Sequence, residues 1–297
     1  LEAVTVALTR LADRAVHLSL VALVADEIRR GKLPGAVPED AGSAGGLVVL
    51  AMGKMGAGEL NYSSDIDLIC LFDETRYPGA GQEARASFIK VVRRMTATPV
   101  CLSMAAAEAY YEAEGRTWER AAYIKARPCG GDIAAGTRFL KALTPFVWRK
   151  HLDFAAIQDA HDMRLRIRDH RGLHGPIAVE GHNLKLGAGG IREIEFFTQT
   201  RQLIAGGRDP ALRDRTTVGA LAALAGKGWV PTEVAEDLTE LYRAHREVEH
   251  RLQMVNDAQT HSLPAKAEGV ARIAAFCGQS EAEFRRDLLD RLHRTDR

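Results

Sequence analysis

Apolar residues return at helical spacing between positions 4 and 28, through Leu8, Leu11, Val16, Leu18, Leu20, Val21 and Val24, which predicts one long helix. A stretch holding Gly31, Pro34, Gly35, Pro38, Gly42, Gly45 and Gly46 breaks that pattern and reads as a linker. Residues 47–52 and 66–72 are compact aliphatic runs that fit buried strands, with a glycine-bearing loop between them. Residues 82–96, 105–125 and 136–170 carry few breakers and read as helices, with Pro145 at a kink or near a helix start. Beyond a loop at 185–190, helical patterns cover 191–205, 216–226, 231–256 and 280–294. In the third of these, Leu241, His245, Val248, Leu252 and Val255 share one face, the stripe of a helical bundle. The expected fold is α+β and predominantly helical: a helix and linker (1–38), a domain with a small mixed sheet (39–188) and a helical bundle (189–297).

With 297 residues, 46% hydrophobic and 27% charged, the chain can bury one sizeable core or two smaller ones. Forty basic and 39 acidic side chains leave a net charge of +1, which gives no general attraction to nucleic acid or to an anionic membrane. Neither is expected as a partner, and any phosphate chemistry must be local. Cys70, Cys101, Cys129 and Cys277 are widely separated, with no C-x-x-C pair, so a zinc site or a disulfide framework is not expected and a reducing cytoplasm is. No apolar run approaches the roughly 20 residues of a membrane helix, and the N-terminal stretch carries Arg10, Asp13 and Arg14 in place of a signal peptide. A chain opening on Leu1 suggests a piece of a longer protein.

The stretch that carries chemistry runs from Met52 to Ile69. In a strand, Asp65 and Asp67 would project to one side, with Ile66 and Leu68 on the other. Two carboxylates sharing one space resist joint ionisation unless a cation lies between them, and hard oxygen ligands suit Mg²⁺ or Mn²⁺ carrying a nucleotide's phosphates. Upstream, Gly53, Gly56 and Gly58 let backbone N–H groups approach phosphate oxygens, and Lys54, Ser63 and Ser64 can add donors. The order of residues fits neither a Walker loop nor a Rossmann fingerprint. A glycine turn followed about a dozen residues later by D-x-D on a strand resembles the signature of polymerase β-type nucleotidyltransferases, which implies transfer of a nucleoside monophosphate and makes 39–188 the nucleotidyltransferase domain.

A closer resemblance rests on Gly53-Lys54-Met55-Gly56 with the run Glu59-Leu60-Asn61-Tyr62-Ser63-Ser64-Asp65-Ile66-Asp67-Leu68-Ile69. It extends through Ala107–Tyr111, Thr117–Ala122, Ile124–Pro128, Lys185–Phe196 and His250–Met254. These stretches resemble the family of glutamine synthetase adenylyltransferase/adenylyl-removing enzymes. Members carry two related halves, one attaching AMP to a tyrosine of glutamine synthetase and the other removing it by phosphorolysis to give ADP. The E-L-N-Y-S-S-D-I-D wording and Gln259–Pro264 are similar to the N-terminal, removing half. The resemblance implies Asp65 and Asp67 as catalytic metal ligands, Mg²⁺ or Mn²⁺ as cofactor, and glutamine synthetase, the PII signal protein, inorganic phosphate and adenine nucleotides as partners. A transferase acting on glutamine synthetase or another protein, or an inactive module binding nucleotide or PII, stays open as an alternative.

One part of the family pattern is missing. A third carboxylate is expected on a later strand of R-V-D-L-R-L-R-P wording, yet residues 91–100 pass from helix to what lies beyond that strand. Either the strand is lost or a short segment of the natural chain is absent from this sequence. Omission is the favoured expectation, because losing a central strand strands backbone hydrogen bonds and opens the core.

Other polar clusters carry two readings each. Lys185 and the glycines 187–190, Gly189 among them, can bind phosphate at a helix start or simply make a tight turn. At most one of Glu193 and Glu195 can face a metal from the following helix. Trp118, Glu119 and Arg120, with Lys125 and Arg127, can touch phosphate or pack as an ordinary helix. His151, His161, His170, His174 and His182 lack metal-ligand spacing, and Arg164, Arg166 and Arg168 scatter around a helix.

Overall fold

The computed structural model describes residues 1–96, 100–150, 158, 172–173 and 175–296. The chain divides into two compact units, Glu2–Leu60 with Ile66–Trp148, and Asn61–Asp65 with Arg149–Arg297. Much of the helix expected over 136–170, together with His151, His161, His170, His174, Arg164, Arg166 and Arg168, lies outside the described residues.

The first unit is built on a four-stranded mixed sheet, in the order β3-β2-β1-β4. Strands β1 (Leu47–Ala51) and β2 (Leu68–Phe72) pair antiparallel, β4 (Arg127–Gly131) pairs antiparallel with the other side of β1, and β3 (Cys101–Ser103) runs parallel to β2. All five residues of β1 are fully buried, so alternation along it feeds two cores. Leu47, Val49 and Ala51 pack with Val16, Leu20 and Val24 of α1 (Glu2–Arg29) and Phe88, Val91 and Val92 of α3 (Gly81–Met95). Val48 and Leu50 face the other way, toward Ala107 of α4 (Met104–Ala113), Tyr123 of α5 (Thr117–Tyr123), Phe139 of α6 (Ile133–Ala142) and Phe146 of α7 (Thr144–Val147). The unit is thus a helix–sheet–helix sandwich, and a strand covered on both faces reads in sequence as an unbroken apolar run.

Several elements differ from expectation. The helix expected over 105–125 is two, broken at Gly115, where a Cβ would lie 2.4 Å from the Phe146 ring and 2.5 Å from the Tyr111 carbonyl. Strand β4 was not expected, because a proline and two glycines in five residues are unfavourable to a strand. As an outer strand it tolerates proline, its pairing shifts register between Val49 and Leu50, and Gly131 sits at φ +76° against the Leu47 carbonyl. Pro145 falls in the first turn of α7, where a missing N–H costs nothing. The buried thiols of Cys70 and Cys129 are pushed up to about 11 and about 12 by burial, and that of Cys101 is raised further, so these cysteines are apolar core.

The second unit is helical. Its elements are α8 (Ile191–Ala205), α9 (Thr217–Gly226), α10 (Thr232–Asn256), α11 (Ala267–Phe276) and α12 (Glu281–Asp296). Helix α10 serves two clusters: Leu241 and Tyr242 pack with α8 and α9, while Val248 and Leu252 pack with α11 and α12. Helix α11 was not expected, since its alanines give little periodicity and Gly269, packed on Pro264, sits in its first turn. No described helix is long and apolar enough to cross a membrane.

His245, on the buried stripe of α10, is fully enclosed, and burial, reinforced by Arg291 and His182, holds its pKa down to about 3 from the ordinary 6.5. The neutral ring is the folded form, so the unfolded chain binds the extra proton. Its contribution is complete above about pH 6.5 and falls by about 1.4 kcal/mol per pH unit below that, down toward pH 3. Urea unfolding at pH 7.5 and 5.5 is expected to give a smaller pH dependence for His245→Leu than for the wild type. Equal pH dependence in the two would contradict this assignment.

Candidate functional site

Beyond the end of β1, the Met52 N–H donates to the Asp67 carbonyl at 2.9 Å, carrying the ladder one step past the strand. The glycine loop expected here is a one-turn helix, α2 (Gly53–Ala57), ended by Gly58 in the left-handed conformation. Gly53 opens it at φ +52°, where an ideal Cβ would stand 3.2 Å from Oδ2 of Asp67. Only glycine suits that backbone, and the glycine brings the start of α2 beside the Asp67 carboxylate.

The later glycines have other uses. The Gly56 N–H donates to Met52 O at 2.8 Å and that of Gly58 to Met55 O at 3.2 Å, so neither amide is left for a phosphate. Gly56 is required by packing, since a Cβ there would lie 2.1 Å from the Lys125 carbonyl oxygen and 2.7 Å from that of Ala51. Both are backbone atoms of the sheet unit and cannot swing aside. Gly56→Ala is therefore expected to cost about 3 kcal/mol or more, the upper end of overpacking, measured as a lower urea midpoint. A midpoint equal to the wild type would contradict the packing described.

Asp65 and Asp67 lie just before β2, which begins at Leu68 and not at Ile66 as expected. Both carboxylates are exposed, and so is Ile66, which does not enter a buried layer. The division between the units falls between Asp65 and Ile66.

Within the helical unit, the segment Asn61–Asp65 is held on alternate residues. Asn61, 1% exposed, donates from Nδ2 to Oε2 of Glu249 at 2.9 Å and accepts from Nη2 of Arg246 at 2.7 Å. Arg246 and Glu249, one turn apart on α10 and both buried, approach to 3.4 Å, and Nδ1 of His261 lies 2.8 Å from the other Glu249 oxygen. The Ser63 hydroxyl donates to Asp257, the left-handed cap of α10, and the Gln259 amide donates to Oδ1 of Asp65. Residues 61, 63 and 65 thus share a side, as in an extended chain. Arg246, Glu249, Asp257, Gln259 and His261 were not expected at the site. The one available signal was the resemblance of the stretches around His250 and Gln259 to the same family as the motif they brace.

The loop before α8 is a tight turn. Asn183 Oδ1 accepts from the Lys185 and Leu186 amides at 3.1 and 2.8 Å, and the carbonyls of Leu184, Lys185 and Gly190 accept from Ile191, Arg192 and Glu193. The Gly189 N–H donates to the Glu193 carboxylate at 3.2 Å, and a Cβ on Gly189 would lie 2.0 Å from the Leu292 carbonyl oxygen. The first-turn amides expected to meet an anion are therefore spent. Glu195 is buried with Arg192 at 3.3 Å. Glu119 caps α5 through the Arg116 N–H and accepts from the Tyr110 hydroxyl, Arg120 donates to the Val147 carbonyl, and Arg127 joins Asp13 to Met55 O. That cluster packs the sheet unit.

Among the described residues, β3 is Cys-Leu-Ser, pairing with Cys70–Phe72 of β2, and no group of three or more His, Cys, Asp or Glu side chains converges. Mg²⁺ is commonly bound by one or two carboxylates plus substrate phosphates and water. Asp65 and Asp67 each carry an exposed carboxylate, the ligand type such an ion takes.

The family model described as Glutamate-ammonia ligase adenylyltransferase matches residues 1–98 and 94–142, and the one described as GlnD PII-uridylyltransferase matches residues 161–297. The first match breaks at 94–98, where the third carboxylate strand was expected. Proteins named bifunctional glutamine synthetase adenylyltransferase/adenylyl-removing enzyme are 49% identical in Rhodopseudomonas palustris, 50% in a Bradyrhizobium species and 49% in Xanthobacter autotrophicus, each over 98% of this chain. The chain spans about a third of their length, 32% in each case. The Rhodopseudomonas alignment runs over 319 positions against 297 residues here, so at least 22 of its positions have no counterpart in this chain.

Proposed function

Because the chain belongs to the family of bifunctional glutamine synthetase adenylyltransferase/adenylyl-removing enzymes, we propose that it removes AMP from the adenylylated tyrosine of glutamine synthetase by divalent-cation-dependent phosphorolysis, in control of nitrogen assimilation. The observation that carries the proposal is the D-x-D pair at the entry to β2, with Gly53 beside Asp67. The E-L-N-Y-S-S-D wording supports the removing direction, and the match of residues 161–297 to a PII-uridylyltransferase model supports PII as a regulatory partner. In this reading the four-stranded sheet is a polymerase β-type nucleotidyltransferase core.

Asp65 and Asp67 would hold Mg²⁺ or Mn²⁺, and the amide of Gly53, the Lys54 ammonium and the Ser64 hydroxyl would offer donors to phosphate oxygens. Ser63, already bonded to Asp257, shapes the loop, and Gly56, Lys185 and Gly189 act through packing and the α8 turn. What a divalent cation supplies when bound is neutralisation of phosphate charge. An oxygen of inorganic phosphate bonds to the phosphorus of the AMP group as the bond from that phosphorus to the tyrosine oxygen breaks. The electron pair leaves on the phenolate, which takes a proton from solvent, and ADP departs. The test is to mix the protein with adenylylated glutamine synthetase, phosphate and Mg²⁺ and measure ADP, which is expected to form only when phosphate is present.

That no third carboxylate is found among the described residues favours one second reading, an inactive nucleotide- or PII-binding module. Metal-dependent nucleotide binding with no ADP formed would support it.

A further inference from the structure

We propose that Gln259 is a positioning residue of the metal site: its amide fixes the Asp65 carboxylate so that one oxygen stays directed to the cation. The proposal rests on the assignment of Asp65 and Asp67 as metal ligands. Gln259 donates from Nε2 to Oδ1 of Asp65, which leaves Oδ2 as the oxygen for a hard cation. Outer hydrogen bonds of this kind orient carboxylate ligands and tune metal affinity. An amide is the fitting donor, since a neutral N–H orients the carboxylate without adding a positive charge that would compete with the ion.

The chain around Gln259 is built to hold it still. Helix α10 ends on Asp257 at φ +46°, a left-handed turn that aspartate tolerates better than most residues. The Ala258 N–H returns to the Gln253 carbonyl at 3.2 Å, and the buried Gln253 side chain reaches the Thr260 carbonyl at 3.4 Å. Downstream, His261 is fixed through its carbonyl to the Leu184 N–H at 2.8 Å, and its Nδ1 lies 2.8 Å from Glu249. Its bonding partner is held as firmly, because Asn61 and Ser63 pin the segment leading to Asp65. Gln259 and Asp65 are themselves exposed, where a hydrogen bond adds little to stability, so the bond is better explained by what it aims than by what it holds together.

The test is direct Mn²⁺ binding, read by electron paramagnetic resonance of the free ion, for the wild type, Gln259→Met, Gln259→Lys, Asp65→Asn and Asp67→Asn, with circular dichroism as the check on folding. Gln259→Met, which keeps length and loses the donor, is expected to bind Mn²⁺ about 10-fold more weakly. Gln259→Lys is expected to bind more weakly still, since its ammonium occupies the carboxylate. A loop staple alone would behave in the opposite way, with lysine restoring what methionine loses through an ion pair. Wild-type affinity in Gln259→Met, or restored affinity in Gln259→Lys, while the aspartate variants lose binding, overturns the role of Gln259 alone. Unchanged Mn²⁺ binding in both aspartate variants overturns the metal site and this inference together.

Discussion

Glu249→Ala is expected to destabilise the helical unit by about 3–5 kcal/mol, the largest stability effect of any substitution considered, because it removes one member of a buried ion pair. Glu249 has no exposed surface and meets Arg246, Asn61 and His261 at once. Taking it away leaves a guanidinium and an amide that have lost a buried acceptor. Glu249→Gln keeps an acceptor for Asn61 and is expected to lose less, about 1–3 kcal/mol. Replacing the pair together, Arg246→Met with Glu249→Leu, should recover much of the loss but not all, since Asn61 would still be buried with both its partners gone. Hydrogen exchange of the α10 amides reads the effect. Protection in Glu249→Ala equal to that of the wild type would refute the account of this network.

Asp65→Asn and Asp67→Asn are each expected to lower turnover of adenylylated glutamine synthetase by at least about 10³-fold with the fold intact. An amide has the size of the carboxylate and lacks its charge, so binding of a divalent cation is lost while packing is unchanged. Both side chains are exposed, which makes misfolding a poor explanation of a lost activity. The loss should fall on kcat at saturating substrate, because charge is neutralised most where it develops, in the transition state. Near-normal kcat in both variants would remove these residues from the chemistry.

How much of this was legible in the sequence depended on how local each signal was. Helices with a long amphipathic period, such as α3 and α10, lay within a residue or two of expectation, because a buried stripe is written at fixed spacing. Strand β1 was legible as an apolar run because both its faces are covered. Strand β4 was not, since it is stabilised by its register on β1 and tolerates Pro128 and two glycines that argue locally against a strand. The same holds at the site. Asp65, Asp67 and Gly53 could be picked out from a short motif, whereas Gly56 and Gly189 looked like phosphate binders and are set by backbone atoms of Lys125 and Leu292 far along the chain. The brace of Arg246, Glu249 and Gln259 depends on contacts nearly two hundred residues from the motif, at separations of 185, 188 and 194. No local pattern encodes these.

The third carboxylate expected from the family pattern is not found among the described residues, which bears on the proposed activity. The break in the family match at 94–98 and the short β3 point to the same place in the chain. Under the proposed function, Asp65 and Asp67 would share one ion with the substrate's own phosphate oxygens.

The most direct measurement uses isotopically labelled inorganic phosphate with adenylylated glutamine synthetase and Mg²⁺, for the wild type and Asp67→Asn in parallel. The account predicts label in the β-phosphate of ADP with the wild type and none with Asp67→Asn. Release of unlabelled AMP, or labelled ADP at equal rates from both proteins, would contradict it.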